Sequence, residues 1–310
     1  MANYVFGVDV GGTTVKKGLF QEDGTVVDKW EIATKIENEG NAILPDVAKA
    51  VGEKLVQHQI AKDMVIGIGV GVPAPVTADG VVKQTANLNW GYKEVKRELE
   101  ELTGIKVEVG NDANVATLGE MWKGGGQGNK NMVMVTLGTG VGGGIIIDGN
   151  ILIGTNGAGG EIGHIVMEPD ETERCGCGKT GCLEQYASAS GIVRLAKRYL
   201  DNFKGDTVLE IDSVTAKDVF DAVKAGDQAA IEIAKKFGRY LGHGLASVSA
   251  LVDPSIFVIG GGVSKAGEIL FDYIKGPYME KAIFANKEVK FALAELGNDA
   301  GIYGAAKLVL

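Results

Sequence analysis

All three cysteines of this chain fall in one short run, Cys175-Gly176-Cys177-Gly178-Lys179-Thr180-Gly181-Cys182, which follows closely on Gly159-Gly160-Glu161-Ile162-Gly163-His164. A disulfide between residues two apart is badly strained, and any pairing leaves one thiol over. One imidazole and three thiolates are instead the donor set of a tetrahedral zinc site. His164, Cys175, Cys177 and Cys182 are therefore read as metal ligands. The alternative, small core thiols beside an unrelated histidine, leaves the close spacing unexplained. Glu161 and Glu184 bracket the cluster. With four positions filled by nitrogen and sulfur, both carboxylates stay free to face a substrate.

Two other stretches carry chemistry through glycine. Tyr4 to Val10 reads as a buried strand, and Asp9-Val10-Gly11-Gly12-Thr13-Thr14-Val15-Lys16 turns it into a second strand, Lys17 to Phe20. Gly11 and Gly12 let a backbone approach an anion, and the hydroxyls of Thr13 and Thr14 and the Lys16 ammonium can donate to phosphate oxygens. Asp9 can hold a magnesium ion through water. As a lone motif the same turn is more often a structural hairpin. No Gly-x-x-x-x-Gly-Lys-Ser/Thr loop occurs, since Glu173 stands where Gly178-Lys179-Thr180 would need its first glycine. The pattern repeats at Met132 to Thr136, then Leu137-Gly138-Thr139-Gly140-Val141-Gly142-Gly143-Gly144, then a strand from Ile145 to Asp148. Two such hairpins suggest a duplicated nucleotide-binding architecture. Gly138, Gly140 and Gly143 also satisfy Gly-x-Gly-x-x-Gly, but that fingerprint must open a helix, and Ile145-Ile146-Ile147 is β-branched.

The remaining chain is scaffold with marked junctions. A helix is expected from Asn41 to Gln59, with Pro45 in its first turn, and a buried strand from Met64 to Val72 ends in Val72-Pro73-Ala74-Pro75. A strand at Ile105 to Val109 hands over to a helix at Asn111-Asp112-Ala113-Asn114, where either residue can serve as a cap. Helices follow at Leu183 to Leu200, Thr215 to Lys224 and Asp227 to Leu251, with His243 read as a buried structural histidine. Ser255 to Ile259 is a strand whose Gly260-Gly261-Gly262 turn opens another helix, an anion-friendly N-terminus. The net charge of −9 and the lack of a basic run argue against nucleic acid. Phosphates must then be held by backbone N–H groups and a cation, a demand that 47 glycines suit. No segment reads as a membrane span, because the longest uncharged run, from Asn131 to Ile147, is broken by five glycines. The start of the chain does not read as a secretory leader, and reduced thiols place it in the cytoplasm.

Gly-Glu-Ile-Gly-His followed by Cys-x-Cys-Gly-x-x-Gly-Cys-Leu-Glu resembles the signature of the ROK family of sugar kinases and sugar-responsive repressors, and the likeness runs from about residue 4 to the C-terminus. It implies a two-lobed α/β fold of the actin-like, ribonuclease-H-like sugar kinase type with a structural zinc loop. One lobe would comprise residues 1–117 with a C-terminal helix, 298–310, and the other residues 118–297. The resemblance assigns Gly11 to Thr14 and Gly138, Thr139 and Gly140 as the two phosphate loops, and Gly260, Gly261 and Gly262 to the adenosine side. Asp112 would be the catalytic base, with Asn87, Asn111, Asp112, Glu161, His164 and Glu184 on the sugar. Thr85-Ala86-Asn87-Leu88-Asn89-Trp90 is similar to the family's Pro-Asn-Leu-x-Trp loop, with Ala86 in place of proline. The implied reaction is ATP-dependent phosphorylation of glucose at its 6-hydroxyl, with Mg2+ and Zn2+ as cofactors and a homodimer or homotetramer as the assembly. Other hexoses or N-acetylhexosamines are the alternative substrates. A repressor would need several dozen residues of winged helix ahead of the first glycine turn.

Overall fold

A computed structural model of the chain describes residues 3–85 and 87–310. Ala86, read above as a departure from the family loop, lies outside the described residues. Two compact units emerge: Met1–Gly128 with Ile151–Gly159 and Glu295–Leu310, and Asn129–Asn150 with Gly160–Ala294.

The first unit is built on a five-stranded sheet. Its elements are β1 (Tyr4–Val10), β2 (Thr14–Gln21), β3 (Val26–Ala33), α1 (Ile43–Gln57), β4 (Val65–Val72), α2 (Val95–Thr103), β5 (Val107–Asn111) and α3 (Asp112–Lys123). Strand order is β3-β2-β1-β4-β5. β1 pairs antiparallel with β2 across the first glycine turn, so that Val10 faces Val15, and parallel with β4 on its other edge. Apolar residues on both faces bury the central strands β1 and β4, while the edge strand β3 is largely exposed.

The second unit holds β6 (Met132–Leu137), β7 (Val141–Ile147), the short β8 (Asn150–Ile151), α4 (Glu184–Ala187), α5 (Ala189–Leu200), α6 (Ala216–Lys224), α7 (Gln228–Val252), β9 (Ile256–Gly260), α8 (Ile269–Lys281) and β10 (Lys290–Leu293). Its order, β10-β9-β6-β7-β8, reproduces the first sheet: a hairpin at the start, then parallel strands added on the opposite edge. The repeated hairpins seen in the sequence are thus the first two strands of two equivalent sheets.

A final helix, α9 (Ala300–Leu308), returns to the first unit and packs on β1, β4 and α3. Glycine decides how closely it can lie. Gly7 and Gly69 are register partners on β1 and β4. A Cβ at Gly7 would stand 1.9 Å from the Ile302 carbonyl oxygen, and one at Gly69 only 1.7 Å from that of Ala305. Backbone therefore rests directly on backbone. Nearby, the fully buried carboxylate of Glu120 accepts hydrogen bonds from the N–H groups of Gly125 (2.9 Å), Glu295 (3.0 Å) and Leu296 (2.9 Å), which fixes two chain segments to the end of α3.

Several elements differ from the sequence reading. β7 begins at Val141 rather than Ile145, because Gly142 to Gly144 pair in register with Thr136 to Met134. The helix expected from Leu183 to Leu200 breaks at Ser188, whose hydroxyl accepts from the Gly191 N–H at 2.9 Å and caps α5. Gly260-Gly261-Gly262 leads into a 3-10 turn, Val263–Ala266, before α8 begins.

The glycine floor gives a paired test. Gly69→Ala should destabilise by more than the roughly 1–3 kcal/mol of ordinary overpacking, since backbone has to move. Gly52→Ala, in α1 where an added Cβ meets nothing within 4 Å, should stabilise by about 1 kcal/mol. Urea unfolding of both variants checks the pair, and similar shifts for the two would contradict the packing account.

Candidate functional site

In the first unit the glycine turn closes with Gly11 N–H donating to the Thr14 carbonyl at 3.0 Å, and Gly12 and Thr13 at its tip are exposed. Asn87 lies beside it: a Cβ on Gly12 would be 3.4 Å from the Asn87 carbonyl oxygen. Lys16 donates its Nζ hydrogen to the Asn298 carbonyl at 3.2 Å. At the strand-to-helix junction the cap is Asn111, whose Oδ1 accepts from the N–H groups of Ala113 (3.1 Å) and Asn114 (3.2 Å). Its Nδ2 donates to Asp112 Oδ1 at 3.0 Å, which also accepts from Ala113 N–H at 2.8 Å. Asp112 is thus the first helical residue, and its carboxylate is oriented by the cap. Asp9 is close enough to feel it. Burial and then the Asp112 charge raise the Asp9 carboxyl to about 6, with Lys16 opposing. A single region of this unit therefore collects Asp9, Asp112 and Lys16.

In the second unit the four metal-ligand candidates converge, with one donor atom from each of His164, Cys175, Cys177 and Cys182 within 4.8 Å of the others. Cys175 Sγ is 3.8 Å from His164 Nδ1, and Cys177 Sγ is 3.6 Å from Cys182 Sγ. Burial pushes the Cys175 thiol up to about 12 and raises Cys182 as well. A bound cation would supply the charge that ionises them, so the donor set fits a soft divalent metal. His164 turns its other nitrogen, Nε2, toward Glu161 Oε2 at 3.9 Å, and Glu161 is exposed. Glu184 accepts from the Cys175 thiol at 3.3 Å through one oxygen and from the Val141 N–H at 3.0 Å through the other. Gly140 makes that approach possible, since a Cβ there would sit 2.1 Å from Glu184 Oε2. The second glycine turn, the carboxylate and the cysteine loop are in direct contact.

The third glycine turn joins the same neighbourhood. Gly261 has φ of 84° and presses on the end of β6, where a Cβ would stand 2.5 Å from the Leu137 carbonyl oxygen. The Gly138 carbonyl accepts from the Ala189 N–H at 2.8 Å. Between Ala189 and Gly262 opens a cavity of about 340 Å³, walled by Thr215, Phe220 and Lys265 among others. The sequence reading reaches only the Gly262 wall of this cavity, as the turn expected on the adenosine side. For the opposite wall the Thr215 to Asp218 capping box, which starts α6, is the one local signal. Also unforeseen is the brace outside the cysteine loop, where buried Glu171 is held by Arg194, Arg198 (3.0 Å) and the Tyr186 hydroxyl (2.6 Å).

Comparison with known proteins fits this geometry. A model described as the ROK family matches residues 5–310. A glucokinase of Halalkalibacterium halodurans is 46% identical over 309 residues, spanning 98% of this chain and 94% of that protein. Among solved structures, a ROK hexokinase from Thermus thermophilus superposes with a TM-score of 0.82 at 31% identity, covering 98% of this chain and 97% of its own. A ROK family glucokinase from Streptomyces griseus, solved in complex with glucose and AMPPNP, gives 0.73 at 35% identity over 99% of both chains.

Asp9 predicts a pH signature. The folded chain holds its proton between 3.8 and about 6, where the unfolded chain has lost it, so stability falls as pH rises through that window. Asp9→Asn removes the penalty. In metal-free buffer the variant should exceed the parent by about 2 kcal/mol near pH ~7.5, and the gap should close toward pH ~4. A gap that does not change with pH would contradict the burial of this carboxylate.

Proposed function

This chain belongs to the ROK family, and on that premise we propose that it is an ATP-dependent glucose kinase, transferring the terminal phosphoryl group of ATP to the 6-hydroxyl of glucose. The observation that carries the reading is Glu184, which follows directly on the cysteine loop and holds the second glycine turn by accepting from the Val141 N–H at 3.0 Å. Phosphoryl transfer asks a protein mainly for positioning and charge stabilisation. Thr13, Thr14 and the N–H groups of Gly12, Thr139 and Gly140 bind phosphate oxygens, on turns that the N–H groups of Gly11 and Gly138 close onto Thr14 and Gly140. The cavity beside Gly262 takes the nucleoside. Asn87, Asn111, Glu161, His164 and Glu184 fix the sugar hydroxyls, and Asp112 faces the 6-hydroxyl.

The bond between the γ-phosphorus and the β,γ-bridging oxygen breaks as the bond from O6 to phosphorus forms, and the O6 proton passes to Asp112. A carboxylate is a weak base in the ground state. In a loose transition state the hydroxyl becomes acidic only late, so the orientation that Asn111 gives Asp112 matters more than resting basicity. Asp9 and Asp112 fit a hydrated magnesium ion, which when bound would neutralise phosphate charge. The His164 and cysteine cluster fits zinc, which with four protein ligands has no open position and serves as a structural clamp. Thiols gathered for a cation rather than a disulfide support a cytoplasmic setting.

A sugar panel with coupled detection of ADP tests the reading. Glucose should give the highest kcat/KM among glucose, mannose, fructose, allose and the N-acetylhexosamines, and a protein that turns over none of them is not this kinase. Asp112→Asn keeps the shape of the side chain but not its proton acceptance. We expect kcat to drop by about 10²–10⁴-fold with glucose binding retained; turnover within about threefold of the parent would move the base elsewhere.

The metal makes a separate prediction. Elemental analysis should find about one zinc per chain, and Cys177→Ser or a strong chelator should weaken glucose binding by about 10–100-fold while an ATP analogue binds as before. Normal glucose binding in a zinc-free protein would refute the clamp.

A further inference from the structure

Against α7 lies a cavity of about 440 Å³ that the kinase reading does not use. One wall is α7 itself, where Lys236, Arg239, Tyr240 and His243 recur three and four residues apart and so share a face. The facing wall carries Glu168 and Arg198. In a chain of net charge −9 this is a local excess of positive charge. Arg198 is already matched by Glu171 and Glu173 at 3.0 and 2.9 Å. Lys236 lies over the Tyr199 ring, 4.9 Å from its centroid, and among the described residues neither it nor Arg239 has a carboxylate within salt-bridge distance. His243 also lines this face.

The rest of the lining narrows the ligand. Glu168 accepts from the Tyr240 hydroxyl at 3.3 Å and keeps further acceptor capacity for hydroxyl groups. Tyr240 stacks on Tyr186 at 4.0 Å, which gives the cavity a flat apolar side. The volume falls within the range of small-molecule sites and is larger than a phosphate ion needs. An anionic group for Lys236 and Arg239, hydroxyls for Glu168 and a carbon face for the tyrosine describe one class of molecule. We infer that this cavity is a second ligand site, taking a sugar phosphate. Resting on the kinase reading, the member of that class the protein itself would make is glucose 6-phosphate.

The site is connected to the sugar-binding loop. The N–H groups of Met167 and Glu168 both donate to the Gly181 carbonyl, at 2.7 and 3.2 Å, and Gly181 precedes the metal-ligand candidate Cys182. A ligand against Glu168 therefore touches the back of the loop that carries His164 and Glu184.

Calorimetric titration of glucose 6-phosphate into the protein saturated with glucose and AMPPNP tests the inference. Occupied active sites leave one residual binding event per chain, and the Lys236→Gln/Arg239→Gln double variant should weaken it by at least about tenfold through loss of two charge-assisted contacts. The variant should keep the parent's kcat and unfolding temperature, and inorganic phosphate should bind more weakly than the ester. Absence of residual binding in the parent, equal binding in the variant, or phosphate binding as tightly as the ester each overturns the proposal. If glucose is never phosphorylated but the ester still binds through Lys236 and Arg239, the kinase reading falls and this site stands.

Discussion

Three thiols and an imidazole held within 4.8 Å of one another impose the strongest constraint on this structure. Burial opposes ionisation of Cys175 and Cys182, and a bound cation would supply the charge that makes thiolates of them. Much of the proposed site is fastened to that point. Glu184, two residues after Cys182, meets the N–H of Val141, and the turn before Val141 is the second glycine loop. From the other side, Glu171 locks the loop to α5 through Arg194 and Arg198. Its carboxyl is held well below the usual range, chiefly by Arg198, so this brace is ionised whenever the protein is near neutral pH. A flexible, glycine-rich segment thus becomes a rigid platform for Glu161, His164 and Glu184.

The first unit works by a different economy of forces. Its sheet repeats the strand order of the second, but here the functional feature is a stability liability. Asp9, next to last in β1, lies in surroundings that favour its protonated form, partly because Asp112 is near. Two carboxylates facing one region are unfavourable alone and become favourable around a cation or a hydroxyl proton. The Asn111 cap matters for the same reason: by satisfying the first N–H groups of α3 it leaves Asp112 to be aimed rather than consumed as the cap. Glu120 and the Gly7 and Gly69 floor hold the surrounding helices in register.

What could be read from the sequence was what depends on local chemistry. Cysteine spacing announced the convergence of His164 with the three cysteines, the paired glycine turns announced the duplicated hairpins, and Asn-Asp at a strand-to-helix handover marked the position of Asp112. What could not be read depends on distant residues meeting. Nothing near Gly140 shows that its missing side chain makes room for Glu184, and nothing near Gly7 shows that α9 will lie on it. The Ser188 break between α4 and α5 was hidden because apolar spacing continues through it, while the cap that ends one helix and starts the next is a single hydroxyl. The nucleoside-sized cavity and the cationic face of α7 likewise arise from residues that only the fold brings together.

X-ray absorption at the zinc edge tests the central claim, that the sugar-facing histidine is also a leg of the metal clamp. The account predicts three sulfur neighbours at about 2.3 Å and one nitrogen at about 2.0–2.1 Å, unchanged when glucose is added. A shell containing oxygen, or a nitrogen that leaves when glucose binds, would mean that His164 does not join metal and sugar, and the clamp would be contradicted.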